Sequence, residues 1–327
     1  MQKLLSPRSL TEGALMAAIT AIIALISTYL PFINIFSFLV IAVPIIIVVI
    51  RNNLTAGVIA SIVATFLVSI MAGPLIAFFF YLQFMPLALA YGYLFKNKYT
   101  ASKILAIGTF VAVISTILIM LFGMIIGQID FEQQKLAFYQ TVDRTIAIYE
   151  DYGMMEKFET QGVSKEQLRT ILTDMASFFI RVFPTLLIIG SVFTAATHFI
   201  MARIILKKFG HDVPSILPFS QWHLPWYVVW GLIFGWAGYL IGDIYGQDTL
   251  RILGQNILIA YGVILFILGL SVLAYYFKKF KLTNLSRLLL IMTAVMFFSG
   301  FVLMAIVIGL FDLVLDQRHL NKEVKEN

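Results

Sequence analysis

No cysteine occurs among the 327 residues, which removes disulfides, thiolate metal sites and cysteine nucleophiles together. Charge is almost as scarce: Asp, Glu, Lys and Arg make up 12% of the chain, against about 25% in soluble domains. With a mean hydropathy of +0.94, the chain cannot coat a water-facing surface. Its histidines, His198, His211, His223 and His319, form no HExxH pair, and there is no GxxxxGK[ST] loop. Zincin-type hydrolysis and a Walker ATP site are thereby excluded. No paired carboxylates stand deep in an apolar run. The expectation is a non-enzyme with no catalytic residues, metal or cofactor, so that any ATP-driven work falls to a partner.

What the chain has in abundance is apolar residues, 61% of the total. A membrane-crossing helix needs about 20 of them in succession, and such runs occur at 10–30, 33–50, 54–72, 74–95, 101–127, 175–206, 224–242, 252–277 and 287–311. The fold class is therefore all-α, a polytopic transmembrane helix bundle of about nine spans. Lys and Arg cluster at the ends of these runs: Lys3, Arg8, Arg51, Lys96, Lys98, Lys103, Arg203, Lys207, Lys208, Lys278, Lys279, Lys281 and Arg287 share one side, and the turns after the first and third spans hold none. This pattern marks the cytoplasmic side, with the N-terminus inside. The net charge of +6 is thus topology and points to no nucleic acid. Nine spans place the tail outside with Arg318, Lys322 and Lys325; eight spans, with the tail inside, are the alternative. The first run follows Lys3 and Arg8 like a signal sequence, but it is long and lacks a small-x-small cleavage site, so it reads as a retained helix.

The chain divides into a five-span bundle (1–127), an extracytoplasmic segment (128–174), a four-span bundle (175–311) and a charged tail (312–327). The segment between the bundles carries nine acidic and five basic residues, and Phe138, Val142, Ile146 and Tyr149 recur at helical spacing. That makes an amphipathic helix stopping near Gly153. Ser164 and Gln167 form a capping box, from which the sixth helix starts outside the membrane and runs about 40 residues, roughly 60 Å. The segment is a folded external loop or a lid over an outward-facing pocket. All four tryptophans lie from Trp222 to Trp236 and anchor the seventh span at the headgroups.

Small residues repeat four apart on several helices: Gly57, Ser61, Thr65, Ser69 and Gly73 in the third span, Gly108, Ala112 and Thr116 in the fifth, Gly231, Gly235, Gly238 and Gly242 in the seventh. Lipid tails are as apolar as leucine, so membrane helices associate by close backbone approach along such stripes. Polar residues within spans cost about 2.5 to 3.5 kcal/mol when ionisable and mark candidate binding positions. Gln83 lies one turn before Pro86, and Arg181 one turn before Pro184. Arg181 either snorkels to the headgroups, holds an anionic substrate group or pairs with Asp243, while Asn256 and Gln255 start the eighth span facing the same end. His198 reads as a neutral, hydrogen-bonded helix residue. The expected small-molecule site uses Gln83, Arg181, Asp243 and Asn256.

The first span, "LTEGALMAAITAIIAL", sets Ala14 and Ala18 four apart with Ala17 and Ala21 beside them. It resembles the first helix of the substrate-binding S-components of energy-coupling-factor vitamin transporters. That resemblance implies an interface, formed by Ala14, Ala17, Ala18 and Ala21, for a membrane coupling subunit that works with ATPases. The stretch "GYLIGDIYGQDTLRILGQNILIAYGVILFILGLSVLAYYFKK", with the rest of the chain, resembles the YybS-like family of uncharacterised bacterial membrane proteins, distant relatives of the S-components. The resemblance implies a multi-pass protein of the bacterial cell membrane that captures a small molecule for import. The same broad superfamily includes a membrane scaffold, so a non-transporting scaffold or regulator that partners envelope proteins is the alternative.

Overall fold

A computed structural model describes residues 6–30, 32–280 and 283–318. Lys3, Lys281, His319, Lys322 and Lys325, named above, lie outside the described residues. Those described are helical with no strand, and nine of their helices are long and apolar enough to cross a membrane. The protein is an all-α, multi-pass integral membrane protein.

Two compact units share the chain discontinuously. The first holds the residues up to Phe138 together with Leu187–Ile216. It contains α1 (Pro7–Tyr29), α2 (Asn34–Val40), α3 (Val43–Arg51), α4 (Leu54–Ala72), α5 (Pro74–Lys96) and α6 (Ala101–Ile125). The helix α7 (Phe131–Asp151) begins in it, and α9 (Lys165–Lys208), which follows the short α8 (Met154–Thr160), ends in it. Ser6 caps α1 by accepting from the Ser9 amide, with Pro7 at the first turn, where its missing N–H costs nothing.

The second span departs from expectation. It is two helices, broken at Ile41 and Ala42, because Pro44 has no amide to return to Val40 and instead opens the new helix α3. Both residues at the break are buried, so the irregular backbone is shielded from lipid by protein. The core around it combines Ala17, Ala21, Ala60 and Ala64 with Ile45, Ile46, Tyr91 and Phe199. Small residues on α1 and α4 let those helices approach, with an added Cβ at Gly13 falling 4.0 Å from that of Ala60. At Gly57 it would strike Val49 of α3 at 2.2 Å, and at Gly108 it would strike Tyr91 of α5, also at 2.2 Å. Tyr91 donates its hydroxyl to the Ala195 carbonyl at 2.7 Å, and Thr116 shares a hydrogen bond with Ser191 at 2.9 Å.

The second unit comprises Tyr139–Leu186 and the chain from Leu217 on. Its first part is an antiparallel pair of helix segments. Val142, Ile146 and Ala176 form the seam with Tyr139 and Leu172 packed on it. Ion pairs Asp143–Arg169 and Glu150–Lys165 flank this seam. The capping box forms as expected: Ser164 N donates to Gln167 Oε1 at 2.8 Å, and Gln167 N to Ser164 Oγ at 3.2 Å. One residue of the expected apolar face differs. Tyr139, which shares a hydrogen bond with Ser177 at 3.2 Å, takes the inward position, and Phe138 is exposed, because 139, 142 and 146 follow the three-then-four spacing of one face.

The remainder of this unit starts with one-turn 3₁₀ helices at Phe219–Gln221 and Trp226–Val228, followed by α10 (Val229–Ile244) and α11 (Asp248–Lys279). These last two form a tight antiparallel pair. Gly231 faces Tyr261, Gly235 faces Ile257 and Leu258, Gly238 faces Gly254, and Gly242 faces the Arg251 backbone. The ninth apolar run is also not one helix: α12 (Asn284–Met296) and α13 (Phe298–Leu315) meet at Phe297, whose φ of −111° and ψ of 45° leave the helical region.

Candidate functional site

Three of the four expected site residues belong to the second unit. Asn256 on α11 donates from Nδ2 to the carbonyls of Arg181 (2.9 Å) and Ile252 (2.8 Å), and its Oδ1 accepts from Thr185 Oγ1 at 2.7 Å. Its carboxamide is therefore a clasp joining α9 to α11. Thr185 was not singled out by sequence, although one turn separates it from Arg181. Asp243 pairs with Arg251 at 3.5 Å, and Arg251 also binds Asp248 at 2.6 Å. The alternative pairing of Asp243 with Arg181 is thus not formed among the described residues. Arg251 takes that place because the α10–α11 turn brings it within reach.

Several polar atoms here lack partners. Nε of Arg181, Nε of Arg251 and Oε1 of Gln255 are all shut off from solvent without a hydrogen bond. Arg181 is tied to α11 through its carbonyl at Asn256, and Arg251 lies in the first turn of the same helix. Guanidinium N–H groups are strong, directional donors to carboxylate and phosphate oxygens. Each Nε is thus an unused donor and the Gln255 amide oxygen an unused acceptor, while the Arg251 guanidinium is already paired with Asp243 and Asp248.

Gln83 lies in the first unit on α5, half-buried, its side chain making no hydrogen bond among the described residues. His198, in the same unit, is fully buried. Its Nδ1 meets the Thr194 carbonyl at 2.8 Å, and its ring packs on both Phe38 and Phe84 at centroid distances of 4.9 and 5.9 Å. Both features accord with a hydrogen-bonded helix histidine.

The four alanines of α1 divide. Ala17 and Ala21 are consumed in the unit's own core, whereas Ala14 is exposed and Ala18 partly so. Ala14 and Gly13 line a shallow apolar groove of about 260 Å³ with Leu10, Ile59, Ala60 and Val63.

A densely bonded polar group among the described residues of the second unit is one that sequence reasoning missed. Arg318, its side chain 0% exposed, reaches Asp312 through Nε at 3.1 Å and Nη2 at 2.8 Å. It also donates to the carbonyls of Ser220 (2.9 Å) and Trp222 (2.7 Å) and to Ser271 Oγ (2.8 Å). Lys278 reaches Ser220 Oγ alongside at 3.1 Å. The available signal was Asp312 itself, an acid in the last turn of an apolar helix, where the helix dipole disfavours it unless a cation answers.

Comparison with known proteins agrees with a multi-pass chain of this kind. No solved structure matches it. A curated relative, "Uncharacterized protein YybS" of Bacillus subtilis (strain 168), is 26% identical over 280 residues, covering 83% of this chain and 85% of that protein. The family described as "Predicted membrane protein (DUF2232)" matches residues 18–313. Over nearly its whole length, then, the chain belongs to this family of predicted membrane proteins.

Proposed function

We propose that the protein is the substrate-capture subunit of a small-molecule importer, working with a separate membrane coupling subunit and its ATPases. The observation that carries this reading is the division of the α1 alanines. Ala17 and Ala21 hold the helix in its unit, which leaves Ala14 and Ala18 as a small-residue surface beside an apolar groove. Small residues facing lipid gain nothing from burial in acyl chains, but they admit the close approach of another helix. In this reading the N-terminus is cytoplasmic, the membrane is the cell membrane, and the ligand is held near Arg181, Arg251 and Gln255.

A second reading, a scaffold or regulator of envelope machinery, draws on the external helix pair, whose Leu136, Ile148 and Tyr152 stay exposed. The two are separated by cross-linking. Because the chain has no cysteine, Ala14→Cys carries the sole thiol for a short photo-activated cross-linker in native membranes. Capture of a membrane subunit associated with ATPases supports the importer; capture of lipid alone, or of an envelope protein, contradicts it.

A further inference from the structure

The Arg318 network fixes the direction of the last helices. On α11, Gly269 lies against Ala305 of α13, and Gly309 of α13 against Leu265 and Gly269. From that crossing α11 continues to Ser271 and α13 continues to Asp312, and a single guanidinium bridges the two. The helices α11 and α13 therefore run in the same sense, and both finish at the end of the unit where Lys278 meets Ser220.

The helix α12 starts at that end as well. Phe280 and Thr283 are three residues apart, a separation of at most about 11 Å. Had α12 and α13 continued in one line, their 32 residues from Asn284 to Leu315 would extend about 48 Å. That would leave Asp312 about 18 Å from Ser271 even with the link fully stretched, farther than one guanidinium can bridge. The chain must reverse at Phe297. The lengths allow it: α12 climbs 13 residues, about 20 Å, α13 returns over 18, about 27 Å, and the link before α12 covers the difference of about 7 Å.

We infer that α12 and α13 form a re-entrant hairpin, which enters and leaves the membrane on the face where α11 ends and is latched at its exit by Arg318. A hydrocarbon core about 30 Å thick is too deep for α12 to cross, so the turn lies within it. Its side chains suit that depth: Val295, Met296, Phe297 and Phe298 are apolar and exposed. The backbone does too, since Phe297 N–H donates to the Thr293 carbonyl and Phe297 O accepts from Phe301 N–H, each at 2.9 Å. Both helices thus extend their bonding to the turn residue, which limits unpaired backbone in lipid. Of the nine candidate spans, α13 is then not a crossing, and eight remain. Gln317 emerges on the same face as Phe280.

This holds whichever way the protein is oriented and whatever it transports. Single-cysteine labelling of the full chain in sealed membranes with an impermeant maleimide tests it. Tyr245→Cys, at the α10–α11 turn, and Phe280→Cys, after α11, report the two faces. The hairpin requires Gln317→Cys to label from the Phe280 side and Met296→Cys to resist labelling from both. Labelling of Gln317→Cys from the Tyr245 side overturns it in favour of a single crossing by α12 and α13. Labelling of Met296→Cys from the Tyr245 side overturns it in favour of two full crossings.

Discussion

Arg318 and Asp312 bury opposite charges within a membrane protein, and each is tolerated because the other is there. Removing one partner of a buried pair leaves an uncompensated charge and costs about 3 to 5 kcal/mol. Arg318→Met is expected to lower the thermal unfolding temperature sharply in detergent, and Arg318→Met combined with Asp312→Leu to recover part of that loss. Glycines permit a sharper contrast. A Cβ at Gly254 would lie 2.2 Å from the Tyr239 amide nitrogen, whereas at Gly262 nothing stands within 4 Å. Backbone cannot yield as a flexible side chain can, so Gly254→Ala should destabilise by about 1 to 3 kcal/mol while Gly262→Ala is neutral or stabilising, both read from thermal melts. At this scale sequence was an uneven guide. It identified Asn256 and Arg181 as unusual, but it could not see that Asn256 spends its carboxamide on α9, nor that Arg318 leaves the tail for the interior. Both facts depend on which helices become neighbours.

Among the elements, the long helix α9 was legible from its capping box and its continuous periodicity, both local signals. The breaks were not. Pro44 and Phe297 sit in apolar runs that satisfy the length of a span, and hydropathy does not register where a run changes direction. A proline at a helix start and a proline at a kink also look alike in sequence. The pair formed by α7 and the start of α9 follows the opposite logic. With mixed charge on its surface and only a narrow seam of Val142, Ile146 and Ala176, it stands on few apolar contacts. Ile146→Asp should detach α7 from α9 and accelerate limited proteolysis between Tyr152 and Ser164, with the membrane-embedded fragments unchanged. Equal protease resistance in the variant would mean that the ion pairs, not the seam, hold the pair together.

For the molecule as a whole, the all-helical membrane class was readable because it follows from composition, and family membership because it follows from similarity over most of the chain. The division into two units was not readable: it passes through α7 and through α9, where neither composition nor a linker marks a boundary. Nor could the alanine stripes of α1 be sorted into inward and outward faces before α4 was placed beside them. That sorting now separates two kinds of substitution. Ala17→Leu, in the core, should destabilise the isolated protein by overpacking, whereas Ala14→Leu with Ala18→Leu should leave its melting temperature nearly unchanged and act on association alone. The most direct measurement is native mass spectrometry of the protein gently extracted from its own membrane, with the Ala14→Leu/Ala18→Leu variant alongside. The account predicts a copurifying ATPase-linked membrane subunit that is lost in the variant. Retention of every partner by the variant, or an envelope protein as the partner with no small molecule bound, would contradict it.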